Sequence, residues 1–261
     1  MWGTYAVVSA PPKVENHPTD SQSVVEFVKK RLQFEPDERQ MEVLRSGAKR
    51  GILNCTRQWG KSTIAAALAV HRAFTERGCT VLVASPSARQ SGETVKKAEV
   101  LLDRAGIRTR KDGINEISLL LPNGSRIVGL PGAEAKVRGF SAVSLLLIDE
   151  AAYVEDSMYK ALRPMLAVSD GDLWLMSTPF SKRGFFYEAW EYGGPDWLRV
   201  SVKATECPRI GAAFLEKERR DLGAAWFQQE YMAEFIENGS EVFARDLVER
   251  AISDDVEPLW V

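Results

Sequence analysis

The chain has 261 residues, 45% hydrophobic and 27% charged, with 19 glycines and 12 prolines, which fits one α/β domain with an appendage and excludes disorder, collagen or coiled coil as whole-chain readings. Its 34 lysines and arginines nearly balance 36 acidic residues, so no basic field covers the surface, and a DNA contact has to be a local patch such as Lys96-Lys97, Arg108-Thr109-Arg110-Lys111 or the stretch 217–220. Apolar runs fall far short of the ~18 residues that span a bilayer, and residues 1–4 open without the basic segment and apolar core of a secretory signal, so the expectation is a soluble, unexported protein.

Residues 1–22 contain Pro11, Pro12, His17 and Pro18 with little periodicity and read as an N-terminal arm. From Ser23 the positions Val24, Val25, Phe27, Val28 and Leu32 recur at helical spacing, and a second helix with Met41, Val43 and Leu44 follows Pro36 and stops at Gly47. A strand over 51–55, a loop through Trp59-Gly60-Lys61-Ser62 and an alanine-rich helix over 63–75 come next. Further strands are expected at 80–84, 143–148, 172–177 and 198–202, with a long helix over 87–105. Residues 117–121 and 125–130 flank Pro122-Asn123-Gly124, a hairpin signal. Continuous apolar strands separated by helices imply a parallel sheet covered on both faces. After Thr205 the composition turns helical, with helices expected at 213–222, 224–236 and 244–252. The division that follows is an arm (1–22), a core (23–205) and a small helical subdomain (206–261).

The segment Cys55-Thr56-Arg57-Gln58-Trp59-Gly60-Lys61-Ser62-Thr63 lies between an apolar strand and a helix. A phosphate-binding loop needs backbone N–H groups at a helix N-terminus, a lysine for the β/γ-phosphates and a hydroxyl for Mg²⁺. Gly60, Lys61 and Ser62 supply that end of the pattern, whereas Cys55 stands where the pattern's first glycine would be. Downstream, the apolar run 145–148 ends in Asp149-Glu150. Paired carboxylates there let one acid hold Mg²⁺ while the next polarises an attacking water. A further buried strand closes on Ser177-Thr178-Pro179, hydroxyls at the strand end where ligands bind in parallel sheets. The three cysteines, Cys55, Cys79 and Cys207, lack metal-like spacing and suggest a reduced, cytosolic chain without structural metal.

This ordered set resembles the large terminase subunits of tailed bacteriophages and herpesvirus-like viruses, which package DNA into procapsids. Residues 57–63 are similar to the family's deviant Walker A, 145–151 to its Walker B with the adjacent glutamate, and 177–179 to its coupling motif; 181–187 is similar to the segment that follows. The resemblance implies an additional-strand (ASCE) P-loop α/β ATPase with a mainly parallel sheet and a helical C-terminal lid. It further implies that Lys61 binds phosphates, with Gln58, Trp59, Gly60 and Thr63 lining the loop, that Ser62 and Asp149 hold Mg²⁺, that Glu150 activates water, and that Thr178 senses the γ-phosphate of ATP. Residues 34–40 resemble the adenine-recognition segment, making Gln40 the base reader and Gln33 its alternative. Arg138 is expected as an arginine finger toward a neighbouring subunit, with Arg57 the rival acting within its own subunit.

The partners implied are double-stranded DNA, sibling subunits in a ring of five, a portal protein and a small terminase subunit, in the host cytoplasm. Terminases also carry a nuclease of the RNase H type; only about 20 residues follow Phe243 here, so nuclease activity is not expected from this chain. Two other readings stay open. Asp149-Glu150-Ala151-Ala152 superficially resembles a helicase box, and a nucleotide-gated module binding DNA or portal with little turnover would use the same residues.

Overall fold

The computed structural model describes residues 21–130, 132 and 139–237. In chain order these residues form α1 (Ser21–Lys30), α2 (Glu38–Arg45), β1 (Arg50–Cys55), α3 (Lys61–Thr75), β2 (Thr80–Ala84), α4 (Ala88–Arg104), β3 (Ser118–Leu120), β4 (Arg126–Gly129), β5 (Val143–Asp149), α5 (Asp156–Leu162), β6 (Asp172–Ser177), α6 (Gly184–Tyr192), β7 (Leu198–Val202), α7 (Ala212–Leu222) and α8 (Ala224–Met232). Short 3₁₀ turns follow β5, α5 and β7.

One sheet of seven strands runs in the order β3-β4-β2-β5-β6-β1-β7. Every neighbouring pair is parallel except β3 with β4. Strand β6 thus lies between the strand that leads into the glycine–lysine loop and the strand that ends in the paired carboxylates, which is the additional-strand arrangement. Alternation of side chains along a strand divides the apolar residues between two cores. Val81, Val83, Leu145 and Leu147 join α3 and α4 on one face, while Leu82, Ala84, Leu146 and Ile148 join α5 and α6 on the other. Both faces are covered, so the strands carry continuous apolar runs. At the centre, Gly51 of β1 sits opposite Trp174 of β6; a Cβ there would stand 2.2 Å from the indole, and the missing side chain is what admits the ring.

The strands lie within a residue of their expected limits, and the hairpin appears as the short antiparallel pair β3 and β4. Four corrections concern helices, the first that α3 begins at Lys61, two residues before the expected Thr63, because Gly60 caps it. Residues 21 and 22, assigned to the arm, begin α1. The helix expected over 224–236 ends at Met232, because Ala233 turns into the left-handed region at φ 56°, and Ile236 then pairs with Ser181 as a β-bridge. Helices α5 and α6 were not anticipated: the first has only 7 residues, and the second, Gly-Phe-Phe-Tyr-Glu-Ala-Trp-Glu-Tyr, is too evenly apolar to show a stripe. The expected helix at 244–252 and arm residues 1–20 lie outside the described residues. Helices α7 and α8 pack together over Ala204, Leu215 and Phe227.

Candidate active site

In a parallel sheet the carboxyl ends of the strands share one edge, and here three adjacent strands, β1, β6 and β5, deliver chemistry to it. Beyond β1 the loop turns through two left-handed residues, Gln58 at φ 62° and Gly60 at φ 104°. Gly60 is the N-cap of α3 and provides no side-chain acceptor, so the first N–H groups of the helix are left for an anion. Ser62 and Thr63 occupy that first turn, half-buried. Lys61 is 6% exposed, and its Nζ donates to the carbonyls of Cys55 and Thr56 at 3.0 and 3.1 Å. Both partners are neutral, so a buried ammonium faces the site without a bonded counter-charge.

From β5, Asp149 is buried and both its oxygens are held: Oδ1 accepts the Glu150 N–H at 3.1 Å and Oδ2 accepts the Thr94 hydroxyl at 2.9 Å. Glu150 sits at φ 54°, a conformation that is costly for a residue with a side chain and that recurs at functional positions. Ser177 Oγ donates to its Oε2 at 3.2 Å. Burial pushes the Glu150 carboxyl above the usual range, aided by the charge of Asp149, while Lys61 opposes the shift. Three buried side-chain oxygens, Asn54 Oδ1, Ser85 Oγ and Thr178 Oγ1, make no hydrogen bond of good geometry among the described residues, although the Tyr153 hydroxyl lies close enough to Thr178 to interact with it. All three stand at the same edge, in or just beyond β1, β2 and β6. Orphaned oxygens are rare in folded proteins, and their concentration here marks a site built for a polar ligand.

Arg57 leaves the loop toward α8. Its Nε donates to Glu230 Oε2, and that ion pair raises its pKa. The Thr56 hydroxyl and the Arg57 N–H donate to the Glu230 carbonyl at 3.0 and 3.4 Å, and Asn54 Nδ2 donates to Ala233 O at 2.9 Å. The Tyr153 hydroxyl donates to Glu230 Oε1 at 3.4 Å. The end of α8 is therefore bonded directly to the loop.

Gln40 is 2% exposed with both ends of its amide engaged. Its Oε1 accepts the Asp37 N–H at 3.0 Å in a capping box of α2, and its Nε2 donates to Trp59 O at 2.9 Å. The same carbonyl accepts from Arg209, which also bonds Asp37 Oδ2 at 3.0 Å. Gln40 thus joins the start of α2 to the loop through its amide. Trp59 is buried, Gln58 is exposed, and Gln33 is exposed in the turn after α1 at φ 50°. Arg138 lies outside the described residues. Sequence reasoning missed Thr94, Tyr153, Arg209 and Glu230; the one local signal was a hydroxyl, Thr94, among the small and apolar residues on the buried face of α4.

A family model described as terminase large subunit, T4likevirus-type, N-terminal, matches residues 52–250. The chain is 27% identical over 249 residues to the large terminase subunit of Thermus virus P23-45, covering 82% of this chain and 51% of that protein; it thus spans about half the length of the curated relative. The fold matches the large terminase ATPase domain of Thermus phage P74-26 with a TM-score of 0.72 at 23% identity, covering 80% of this chain and 97% of that one. It also matches the large terminase from another thermophilic bacteriophage, solved in complex with ADP, with a TM-score of 0.64 at 12% identity, over 84% of this chain and 53% of that one. With the loop, the paired carboxylates and the strand-end hydroxyls gathered at one sheet edge, and the family match running through all of them, the chain belongs to the terminase large subunit family, in its N-terminal, T4likevirus-type part.

Proposed function

We propose that this chain binds Mg·ATP at the carboxyl edge of its sheet and hydrolyses it, as the motor domain of a viral terminase that moves double-stranded DNA into a procapsid. The observation that carries the reading is the convergence on that edge of a buried Lys61 hydrogen-bonded to neutral carbonyls, the Asp149-Glu150 pair and the buried Thr178 hydroxyl. The ADP complex of the thermophilic-phage terminase, with the same fold, supports the ligand class.

Lys61 and the uncapped start of α3 hold the phosphates. The oxygen donors fit a magnesium ion, a hard cation that prefers such ligands: Asp149 has both oxygens fixed, and Ser62 lies on the first turn of α3. When bound, the ion neutralises charge on the β/γ-phosphates. Glu150, restrained by Ser177, accepts a proton from the attacking water as its oxygen bonds to the γ-phosphorus, while the bond from that phosphorus to the β,γ-bridging oxygen breaks and ADP leaves with that oxygen. Arg138 stabilises the developing charge from a neighbouring subunit; Arg57, paired with Glu230 here, is the rival for that role from within the subunit. Phosphate release frees Thr178, and the motion passes to α7 and α8, which act as a lid. The partners in this reading are DNA, sibling subunits in a ring of five, the portal and the small subunit, in the host cytoplasm. Lys96, Lys97, Arg108, Arg110, Lys111, Lys217, Arg219 and Arg220 are exposed and are the cations that would meet DNA phosphates. Among the described residues no helix is long and apolar enough to cross a membrane.

Nucleotide titration tests the reading. Lys61→Ala removes the charge that matches the phosphates and should lower ATP affinity at least tenfold, since charge-assisted hydrogen bonds are worth about 1.5–3 kcal/mol each. Unchanged affinity would move the phosphate site elsewhere.

A further inference from the structure

Thr94 lies on the buried face of α4 and is 1% exposed. A threonine inside a helix ordinarily satisfies its hydroxyl on a carbonyl one turn back, yet here the hydroxyl donates to Asp149 Oδ2 at 2.9 Å, across 55 positions of sequence. Valine would fill the same space without burying a hydroxyl that needs a partner, so packing alone gives no reason for threonine. The terminal torsion of an aspartate is broad. With Oδ1 held by the Glu150 N–H at 3.1 Å and Oδ2 held by Thr94, the carboxylate plane is fixed at both oxygens by donors from two different elements. Partners of this kind, one shell behind a metal ligand, set its orientation and commonly change cation affinity by 10–100-fold when removed.

We propose that Thr94 is a positioning residue that holds the Asp149 carboxylate in the orientation a nucleotide-associated divalent cation requires, and that it sets affinity for the cation with little effect on affinity for the nucleotide alone. The inference rests on the Mg·ATP reading above and adds a residue to that site.

The test measures ADP affinity of the full chain in EDTA and across a Mn²⁺ titration, with the electron paramagnetic resonance spectrum of bound Mn²⁺ as a second readout. The parent chain should gain ADP affinity as Mn²⁺ is added. Thr94→Val should match the parent in EDTA, need about tenfold or more Mn²⁺ for half of that gain, and show an altered spectrum; Thr94→Ser, which keeps the hydroxyl, should restore both. Thr94→Ala makes the same comparison if the valine variant does not fold. A valine variant that follows the parent Mn²⁺ curve, an equal loss in EDTA and in Mn²⁺, or a serine variant as impaired as the valine would each overturn the proposal while leaving the nucleotide reading in place. A parent chain that binds no ADP in either condition would overturn the reading itself.

Discussion

Trp59 O accepts from both Gln40 and Arg209, so one carbonyl joins the segment before β1, the phosphate loop and the chain beyond β7. That junction gives Gln40 a second candidate role, support of the loop, beside the reading of a base. If its amide supports the loop, Gln40→Ala should lower affinity for ATP and GTP by similar factors, in keeping with the ~1–3 kcal/mol cost of leaving a buried group unpaired. Parallel titrations with the two nucleotides check this; a loss confined to ATP would return Gln40 to base reading. Lys61, Asp149, Glu150 and Thr178 were legible in sequence because each motif is short and sits at a strand end that the apolar pattern locates. Thr94, Arg209 and Glu230 were not, because their partners lie 55, 150 and 173 positions away. Only the folded sheet edge brings those pairs together.

Helix α3 connects the site to the core, and it carries a half-buried titratable group beside α1. His71 packs edge-on against Phe27 of α1, with ring centroids 5.3 Å apart at 74°, and burial lowers its pKa from 6.5 to about 4. The fold therefore favours the neutral ring. Well above pH 6.5 neither state is protonated and His71 costs nothing; as pH falls through 6.5 toward 4 the unfolded chain takes up a proton that the folded chain resists. Stability should decline through that window, by up to about 3 kcal/mol once below pH 4. His71→Phe removes the titration, so urea midpoints compared at pH 7 and pH 4.5 should fall more for the parent than for the variant. Equal falls would contradict the assignment. The strands were readable because burial on both faces writes an unbroken apolar run, whereas α8 was overextended because nothing local marks Ala233 as the left-handed stop.

At the scale of the molecule, the ordered motifs, each set against an expected strand, pointed to the terminase family. The sheet order, with β6 between β1 and β5, then gave that order its geometric meaning. Subunit cooperation makes its own prediction through Arg138. If Arg138 acts across subunits, Arg138→Ala should bind ATP and hydrolyse it poorly, by ~10³-fold or more, and mixing it with Glu150→Ala subunits should recover turnover, since some interfaces then pair an intact arginine with an intact glutamate. No recovery in a mixture that demonstrably associates would transfer the role to Arg57.

The central claim is that this sheet edge hydrolyses ATP with Glu150 as the base, and phosphate release tests it most directly. Single-turnover release from Mg·ATP should be measured for the parent chain and for Glu150→Ala, with ATP binding titrated alongside. With Glu150 as the base, the parent releases phosphate, the variant binds ATP near-normally, and its rate falls by ~10²-fold or more, the usual contribution of a positioned general base. Release by Glu150→Ala at the parent rate would contradict the claim.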